Sequence, residues 1–341
     1  LVIASGILIY DGYQPIVFFQ SLIGTGTVLC IFLIAKEWFG PKVALLASLM
    51  ASIYPYYVWH DTSLQDTCLF VFLTTLSVLI ISRSYSNLSI SSAAWAGIIL
   101  GVATLAKVTL IPFVIIYCIS VMFLSNSTIW GRLLHSSVLL TGFLVVVAPW
   151  LVRNNILIGA PVFTSIAGRQ LWVGNNQYTF KNYPEMSIDY DEIDAWEAMS
   201  QEDLASVTLL QGDELAQQNW FQKRGIEYIL NHPEVTVGRA WAKVVTAFSW
   251  KFSPYKDRLF QTVYFISYFP VLVLGIVGLM ISSNNWKKYL PVFALFTAFV
   301  ASTAVFWAHT SHRSYLDLYM MIFAANAILV GINKARSAIS L

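Results

Sequence analysis

A short polar stretch separates two apolar runs near the start of the sequence and contains side chains that can do chemistry. Residues 54–66 include His60 and Asp61, and Asp66 stands at the mouth of the second run. Charge beside hydrocarbon is costly and is usually paired or functional. We therefore identify Asp66 as a candidate catalytic carboxylate that organises an acceptor or a metal ion, with His60 and Asp61 as candidate substrate-binding residues. The alternative for Asp66 is a helix N-cap, because acidic residues favour the positive end of a helix.

Three cations also stand beside apolar runs. They are Lys107, Arg153 and Arg313. Together they would suit a phosphate or diphosphate at the membrane surface, through charge-assisted hydrogen bonds. The alternative for each one is snorkelling, in which a long side chain leaves the lipid for the headgroups.

Amides and histidines complete the candidate set. Asn154 follows an apolar run, and Asn175 with Asn176 closes the segment Trp172–Asn176. Such amides can bind sugar hydroxyls, or they can simply form turns. His309 and His312 have the spacing of a metal-ligand pair, with no clear third ligand and with interfacial polar residues as the alternative. The sequence identifies no cofactor, and the candidate cofactor is a divalent metal ion.

Composition determines the class of protein that must position these residues. The chain has 341 residues, of which 57% are hydrophobic and 11% are charged, whereas soluble domains are roughly 25% charged. The three cysteines lie in apolar runs and are read as buried hydrophobes, and no basic cluster indicates nucleic acid. We predict an all-α polytopic membrane protein of about nine spans, approximately 15–35, 43–59, 67–82, 94–106, 109–124, 137–151, 260–282, 289–308 and 315–333.

The loop charges predict the orientation of these spans. Lys36, Lys42, Arg83, Arg132, Lys287, Lys288, Lys334 and Arg336 fall on one side if the spans alternate. Lysine and arginine collect in cytoplasmic loops. The candidate site residues then lie on the extracytoplasmic face, which we expect to be the outer face of a bacterial inner membrane.

The predicted organisation has three parts. Residues 1–151 form N-terminal membrane helices, 152–259 form an extracytoplasmic segment, and 260–341 form C-terminal membrane helices. Within the middle part we predict an acidic helix over 191–203 and a helix over 214–230 that is stopped by Pro233. The stretch 235–250 combines tryptophan with basic residues, which is typical of a helix at the membrane interface.

Several short segments, in order, resemble the GT-C class of membrane glycosyltransferases, specifically the bacterial branch related to protein O-mannosyltransferases and aminoarabinose transferases (glycosyltransferase family 39). Residues 101–107 resemble its G-x-x-x-L-x-[RK] element, and 148–154 its P-W-x-x-R-N element. Residues 171–176 are similar to L-W-x-G-N-N, and 228–233 to the end of a helix that closes in H-P. Similar matches cover 20–40, 54–66 and 312–315, where Tyr315 joins His312 as a candidate substrate-binding residue.

The resemblance implies transfer of a sugar from a polyprenyl-phosphate donor to a lipid, glycan or protein acceptor, with inversion at the anomeric carbon. Lys107, Arg153 and Arg313 would then bind the donor phosphate, and Asp66 would organise the acceptor or a metal ion. The chain departs from the family after Arg313, where Leu316 and Asp317 replace an expected proline.

The family places its principal catalytic carboxylate in a first outer loop. The sequence begins at Leu1, so we expect that loop upstream, and Asp11 is not expected to replace the missing base. A lipid-linked-sugar flippase or transporter is the competing class, although transporters place charge near the membrane midplane. A polysaccharide ligase or polymerase and a scaffold without catalytic activity stay open as further alternatives.

Overall fold

A computed structural model describes residues 13–85, 87–183, 186, 189–251, 256–307 and 310–339. In this part of the chain every regular element is a helix, and six helical segments are long and apolar enough to cross a membrane. The prediction of an all-α polytopic membrane protein is confirmed. Asp11 and His309 lie outside the described residues.

The long apolar segments are α1 (Gln14–Phe39), α4 (Thr67–Ser84), α7 (Ile129–Ile158), α13 (Arg258–Ile281), α14 (Leu290–Val305) and α15 (Ser314–Ile339), of which the last two are preceded by 3-10 turns. Three further apolar helices are shorter than a typical span of about 20 residues: α2 (Pro41–Ser52), α5 (Ile90–Ala106) and α6 (Ile111–Leu124). Of the nine predicted spans, six are therefore matched by a full-length helical segment.

The predicted span over 43–59 is wrong in its extent. The structure divides it into α2 and the separate short helix α3 (Pro55–Thr62). Tyr54 is extended, as is common for a residue before proline, and Pro55 starts α3. By contrast, the predicted separation of the spans over 94–106 and 109–124 is confirmed, since Lys107 and a 3-10 turn over Val108–Leu110 separate α5 from α6.

The described helices form two compact units. Unit 1 lies within residues 1–146, 266–296 and 314–341. Its helices approach closely where a side chain is small: a Cβ on Gly97 of α5 would overlap the carbonyl oxygen of Leu139 in α7. Such close approach of two helix backbones at a small residue is common in helix association in membranes. An aromatic cluster of Trp38, Tyr289 and Phe323 packs elsewhere in the same unit.

Unit 2 lies within residues 147–265 and 297–313. Its helices are α8 (Ala167–Gly174), α9 (Asp189–Glu197), α10 (Gln201–Leu209), α11 (Glu214–Asn231) and α12 (Pro233–Ala247). Trp172 and Phe221 belong to its core, and the partly buried Trp196 packs against both rings. The predicted helix over 214–230 is confirmed, whereas the predicted acidic helix over 191–203 is two helices, because Ser200 caps α10 separately.

Candidate functional site

The candidate site of unit 1 is built on the end of α3 and the start of α4. His60 and Asp61 lie on the last turn of α3, and residues 63–66 lead to Thr67, where α4 begins. Asp66 occupies the N-cap position of α4, but its side chain makes no capping hydrogen bond in this described helix. The carboxylate of Asp66 is therefore available to other partners.

A cavity of about 210 Å³ lies among α1, α3 and α4. This volume equals about seven water molecules at roughly 30 Å³ each. Its described lining contains hydroxyl groups, one imidazole and one carboxylate, with no lysine or arginine; the polar residues are Ser21, Thr25, Thr27, Ser52, Tyr57, His60, Asp61, Thr62 and Thr67, besides the thiol of Cys68. A neutral, hydroxyl-rich molecule matches this chemistry better than an anion does.

Asp61 reaches this cavity across a glycine. A Cβ on Gly24 of α1 would overlap the carboxylate of Asp61, so a larger residue there would displace it. Burial raises the pKa of Asp61, and contact with the Cys68 thiol partly offsets the rise. A carboxylate with a raised pKa is a stronger proton acceptor.

His60 stands beside Asp61 on the cavity wall. Its Nδ1 lies 2.6 Å from Gln65 Oε1, and its ring lies 4.0 Å from the ring of Tyr56, centroid to centroid. Burial lowers the pKa of His60, and the charge of Lys107 also lowers it, whereas the hydrogen bond that the imidazole donates to Gln65 Oε1 raises it. The imidazole is therefore neutral near pH 7.

Lys107 joins this group from the end of α5. Its Nζ donates to Thr67 Oγ1 at 3.1 Å and lies 3.5 Å from Asp66 Oδ1. Its side chain is 34% exposed and that of Asp66 is 55% exposed. Because Thr67 lines the cavity, the Lys107 ammonium is bound directly to a residue of the cavity wall. The structure thus brings together four predicted site residues: His60, Asp61, Asp66 and Lys107.

Tyr315, the fifth predicted residue of unit 1, is buried in α15. Its ring packs edge-on against Phe70, with the centroids 5.2 Å apart. Phe70 also lies under the Lys107 ammonium, 5.4 Å from its ring centroid. Tyr315 therefore packs against Phe70, the ring that contacts Lys107.

Arg313, in unit 2, is buried and bound to protein. Its guanidinium donates to the carbonyl oxygen of Ala247 at 2.6 Å and to Tyr264 Oη at 2.8 Å. Only 1% of Arg313 is exposed. These contacts connect the end of α12 with α13.

Arg153 is the other predicted cation of unit 2, and unlike Arg313 it is exposed. Its guanidinium stacks over the Trp150 ring at 4.8 Å and donates to Asn154 Oδ1 at 2.8 Å. Asn154 is buried and donates to the carbonyl oxygen of Val162. Asn154 thus holds both Arg153 and the chain that follows α7.

Asn175 and Asn176 are buried at the end of α8. The Asn175 amide donates to the carbonyl oxygens of Leu171 and Val305, each at 2.8 Å. The Asn176 amide donates to the carbonyl oxygen of Trp172 at 2.9 Å. Carbonyls at the end of a helix lack partners within it, so these amides act as caps.

Lys243 is a buried cation that the sequence analysis did not single out. Its Nζ donates to Asn175 Oδ1 at 3.2 Å and to the carbonyl oxygens of Ala304 and Val305 at 3.3 Å each. Burial lowers the pKa of Lys243 to about 8, and the charge of Arg239 adds to the effect. The sequence signal was its spacing: Lys243 follows Arg239 by four residues and so shares its helix face, opposite to that of Trp241.

No group of three His, Cys, Asp or Glu side chains with metal-binding geometry occurs among the described residues. His312 is exposed, and its predicted partner His309 is not described. The described donors therefore do not compose a metal site, and no step below depends on one.

Comparison with known proteins agrees with the fold and with the family resemblance. Residues 2–152 match the family model described as dolichyl-phosphate-mannose-protein mannosyltransferase. The fold is similar to that of the Archaeoglobus fulgidus oligosaccharyltransferase in its apo form, with a TM-score of 0.52 and 15% identity over 95% of this chain. It is also similar to archaeal oligosaccharyltransferase AglB from Archaeoglobus fulgidus in complex with an inhibitory peptide and a dolichol-phosphate, with a TM-score of 0.51 and 14% identity over 95% of this chain.

The chain spans 40% of the length of each of these two structures. A search of curated proteins found no match. The resemblance to GT-C membrane glycosyltransferases is confirmed.

Proposed function

We propose, from this resemblance to GT-C glycosyltransferases, that the chain acts in a membrane enzyme that moves a sugar from a polyprenyl-phosphate donor to a hydroxyl-bearing acceptor. The observation that carries the proposal is the cavity of unit 1, where Asp61 faces a hydroxyl-rich wall and the Lys107 ammonium is bound to Thr67 of that wall. A base and a cation at one small cavity are the two groups that such a displacement requires.

The reaction sets the role of each group. The acceptor oxygen forms a bond to the anomeric carbon while the bond from that carbon to the phosphate oxygen breaks, and its electron pair leaves with polyprenyl phosphate. The hydroxyl proton needs an acceptor. Among the described residues, Asp61, which the sequence analysis assigned to substrate binding, has the raised pKa that suits this further role. Neutral His60 and the cavity hydroxyls would hold the polar substrate.

The leaving phosphate needs positive charge. Lys107 provides it in unit 1, where its side chain is partly exposed. In unit 2, Arg153 is exposed and stays a proposed phosphate ligand, whereas Arg313 is already bound to protein oxygen atoms. We assign Asp66 to setting the position of the Lys107 ammonium, with which it pairs.

The dolichol-phosphate of the AglB structure supports a lipid-phosphate donor. The six long apolar segments support a multi-pass protein whose donor lies in the same bilayer. The loop charges favour an active face outside the cytoplasm. Acceptor candidates are a lipid, a glycan or a protein.

Transfer assays with reconstituted protein would test the proposal. The full-length protein is placed in proteoliposomes with radiolabelled mannosyl-phosphate polyprenol and a detergent extract of host membranes as acceptor. Release of polyprenyl phosphate and label transfer are measured together. Lys107→Ala should reduce both by at least about 100-fold, the scale expected for the loss of one preorganised charge contact.

Lys42→Ala is the matched control, because Lys42 is an exposed cation at the start of α2 that does not contact the cavity. It should retain wild-type transfer. Wild-type transfer by Lys107→Ala would contradict the phosphate role of this residue. Absence of label transfer from several polyprenyl-phosphate sugars by the wild-type protein would overturn the proposed function.

A further inference from the structure

The faces of α12 are reversed relative to those of a helix on a soluble protein. Val237, Trp241 and Val245 are exposed by 71%, 71% and 50%, whereas Lys243 is 0% exposed. The first three residues are spaced four apart and so form one stripe along the helix. The outward face of α12 is therefore apolar, and its lysine points into unit 2.

The inward cations of α12, Arg239 and Lys243, donate hydrogen bonds to oxygen atoms of the protein. Arg239 donates to the carbonyl oxygen of Asn176 and, at 2.8 Å, to Tyr228 Oη. Lys243 donates to two carbonyl oxygens and the Asn175 amide oxygen. A lysine is almost never fully buried unless it is paired, and on α12 the lysine is buried while a tryptophan and two valines in one stripe face outward. The reversal indicates that the outward face meets something less polar than water.

The C-terminal end of α12 is attached to the first turns of the apolar helix α13. The rings of Trp250 and Phe265 lie 5.5 Å apart, and Tyr264 Oη donates to the carbonyl oxygen of Ser249 at 2.7 Å. Leu259 and Phe260, at the start of α13, are themselves exposed by 71% and 50%. Exposed apolar side chains are thus present both on α12 and at the start of the membrane-spanning helix that its C-terminal end contacts.

We propose that the Val237–Trp241–Val245 stripe lies in the bilayer, at the boundary of headgroups and acyl chains, in the leaflet that surrounds the first turns of α13. An amphipathic helix buries its apolar face several ångströms deep at that boundary. This arrangement makes α12 an in-plane anchor for unit 2, with its cations turned toward protein carbonyls and away from lipid headgroups. A lipid surface is the partner that the stripe fits.

Spin labelling of the full-length protein in lipid nanodiscs tests this placement. The native cysteines Cys30, Cys68 and Cys118 are buried, so new cysteines can be labelled selectively with a nitroxide. Labels are placed by V237C, W241C and V245C, one at a time. Each should collide more often with oxygen, which is concentrated in lipid, than with a water-soluble nickel chelate, by about threefold or more.

Two controls bracket the result. E202C labels an exposed position on α10 and should favour the nickel chelate. T246C labels the buried face of α12 and should be protected from both reagents. The proposal is overturned if the three stripe labels behave like E202C, which means water, or like T246C, which means a protein cover.

Discussion

The two units treat the charged residues at their helix ends in opposite ways. In unit 1, Asp61 lines a cavity that carries several hydroxyl groups, and Lys107 donates to Thr67 of the cavity wall. In unit 2, Lys243 and Arg313 are 0% and 1% exposed and donate to backbone carbonyls. The same residue types therefore take part in the proposed reaction in one unit and in internal hydrogen bonding in the other.

The physical difference lies in which groups the charges face. A buried cation that meets several carbonyl oxygens has its hydrogen bonds satisfied, and its removal leaves those carbonyls without a partner. A carboxylate on a cavity wall has unused acceptor capacity, which a substrate hydroxyl can occupy. The comparison predicts that substitutions in unit 1 alter transfer, whereas substitutions in unit 2 alter stability.

The largest effect is expected from Asp61→Asn. The amide is nearly isosteric but cannot accept a proton at neutral pH, so sugar transfer should fall by about 100-fold to 10,000-fold. Thermal stability should change little, because the cavity wall keeps its shape. Glu37→Gln, an exposed substitution at the end of α1, is the matched control and should keep wild-type transfer.

The pH profile adds a second readout for Asp61. Since burial raises the pKa of this carboxyl, and since the deprotonated form would act as the base, transfer should decline on acidification at a pH above the ordinary range for aspartate. A profile that stays flat down to about pH 4, the ordinary value for aspartate, would contradict the proposed base. It would also weaken the contrast between the two units.

Arg313→Ala tests the comparison in unit 2, where a substitution should lower stability. The substitution removes both donors to Ala247 and Tyr264 and leaves a buried carbonyl unsatisfied, at a cost of about 1–3 kcal/mol for the desolvated group and more for the lost charged contacts. The melting temperature in detergent should fall by several degrees. Arg153→Ala, which removes an exposed cation, should leave the melting temperature nearly unchanged.

The earlier expectation that Arg313 binds donor phosphate competes with this structural role. Arg313→Lys separates the two, since lysine keeps the charge but loses the fork of donors. Loss of stability with unchanged transfer per folded molecule supports the structural role. Loss of transfer with unchanged stability would return Arg313 to the phosphate site.

Most of the helical framework could be predicted from the sequence because local signals define it. Pro55, Lys107 and Pro233 each stand at an observed helix boundary. The α3 helix was nonetheless missed, because the apolar run over 43–59 has the composition of a single span. The proline inside that run was the better guide, since the residue before proline disfavours helix.

The site could be predicted only in part. His60, Asp61, Asp66 and Lys107 could be predicted as candidates from the sequence because all four lie beside apolar runs. The cavity depends on Gly24, which lies far away in sequence and makes room for Asp61. Likewise, the partners of Arg313 lie 49 and 66 residues away, and those of Lys243 lie 61 residues or more away. An isolated cation in the sequence therefore looks the same whether it binds ligand or protein.

A smaller effect, with a defined pH dependence, is expected from Lys243. Its pKa is about 8 in the folded protein against 10.5 for the free side chain, so the folded state releases a proton before the unfolded state does. The unfolded state then binds more protons between pH 8 and 10.5, and stability rises with pH through this window. The full rise is about 3 kcal/mol at roughly 1.4 kcal/mol per pKa unit.

Lys243→Met should remove this rise, which can be measured as the pH dependence of the melting temperature. Lys251→Met, at an exposed lysine outside the cluster, should preserve it. An identical pH profile in Lys243→Met and wild type would mean that Lys243 is not the group responsible. It would also mean that unit 2 does not hold its charge as tightly as the comparison requires.

The smallest effect is expected from Asp66→Asn. The pair of Asp66 and Lys107 is largely open to solvent, and such pairs contribute about 0–1 kcal/mol to stability. If Asp66 only positions Lys107, the substitution should lower transfer by less than about tenfold and mainly raise KM for the donor, with Lys107 still bound to Thr67. A loss as large as that of Asp61→Asn would instead make Asp66 the catalytic carboxylate that its place in the sequence first indicated, and the cavity would have to be reassigned to binding alone.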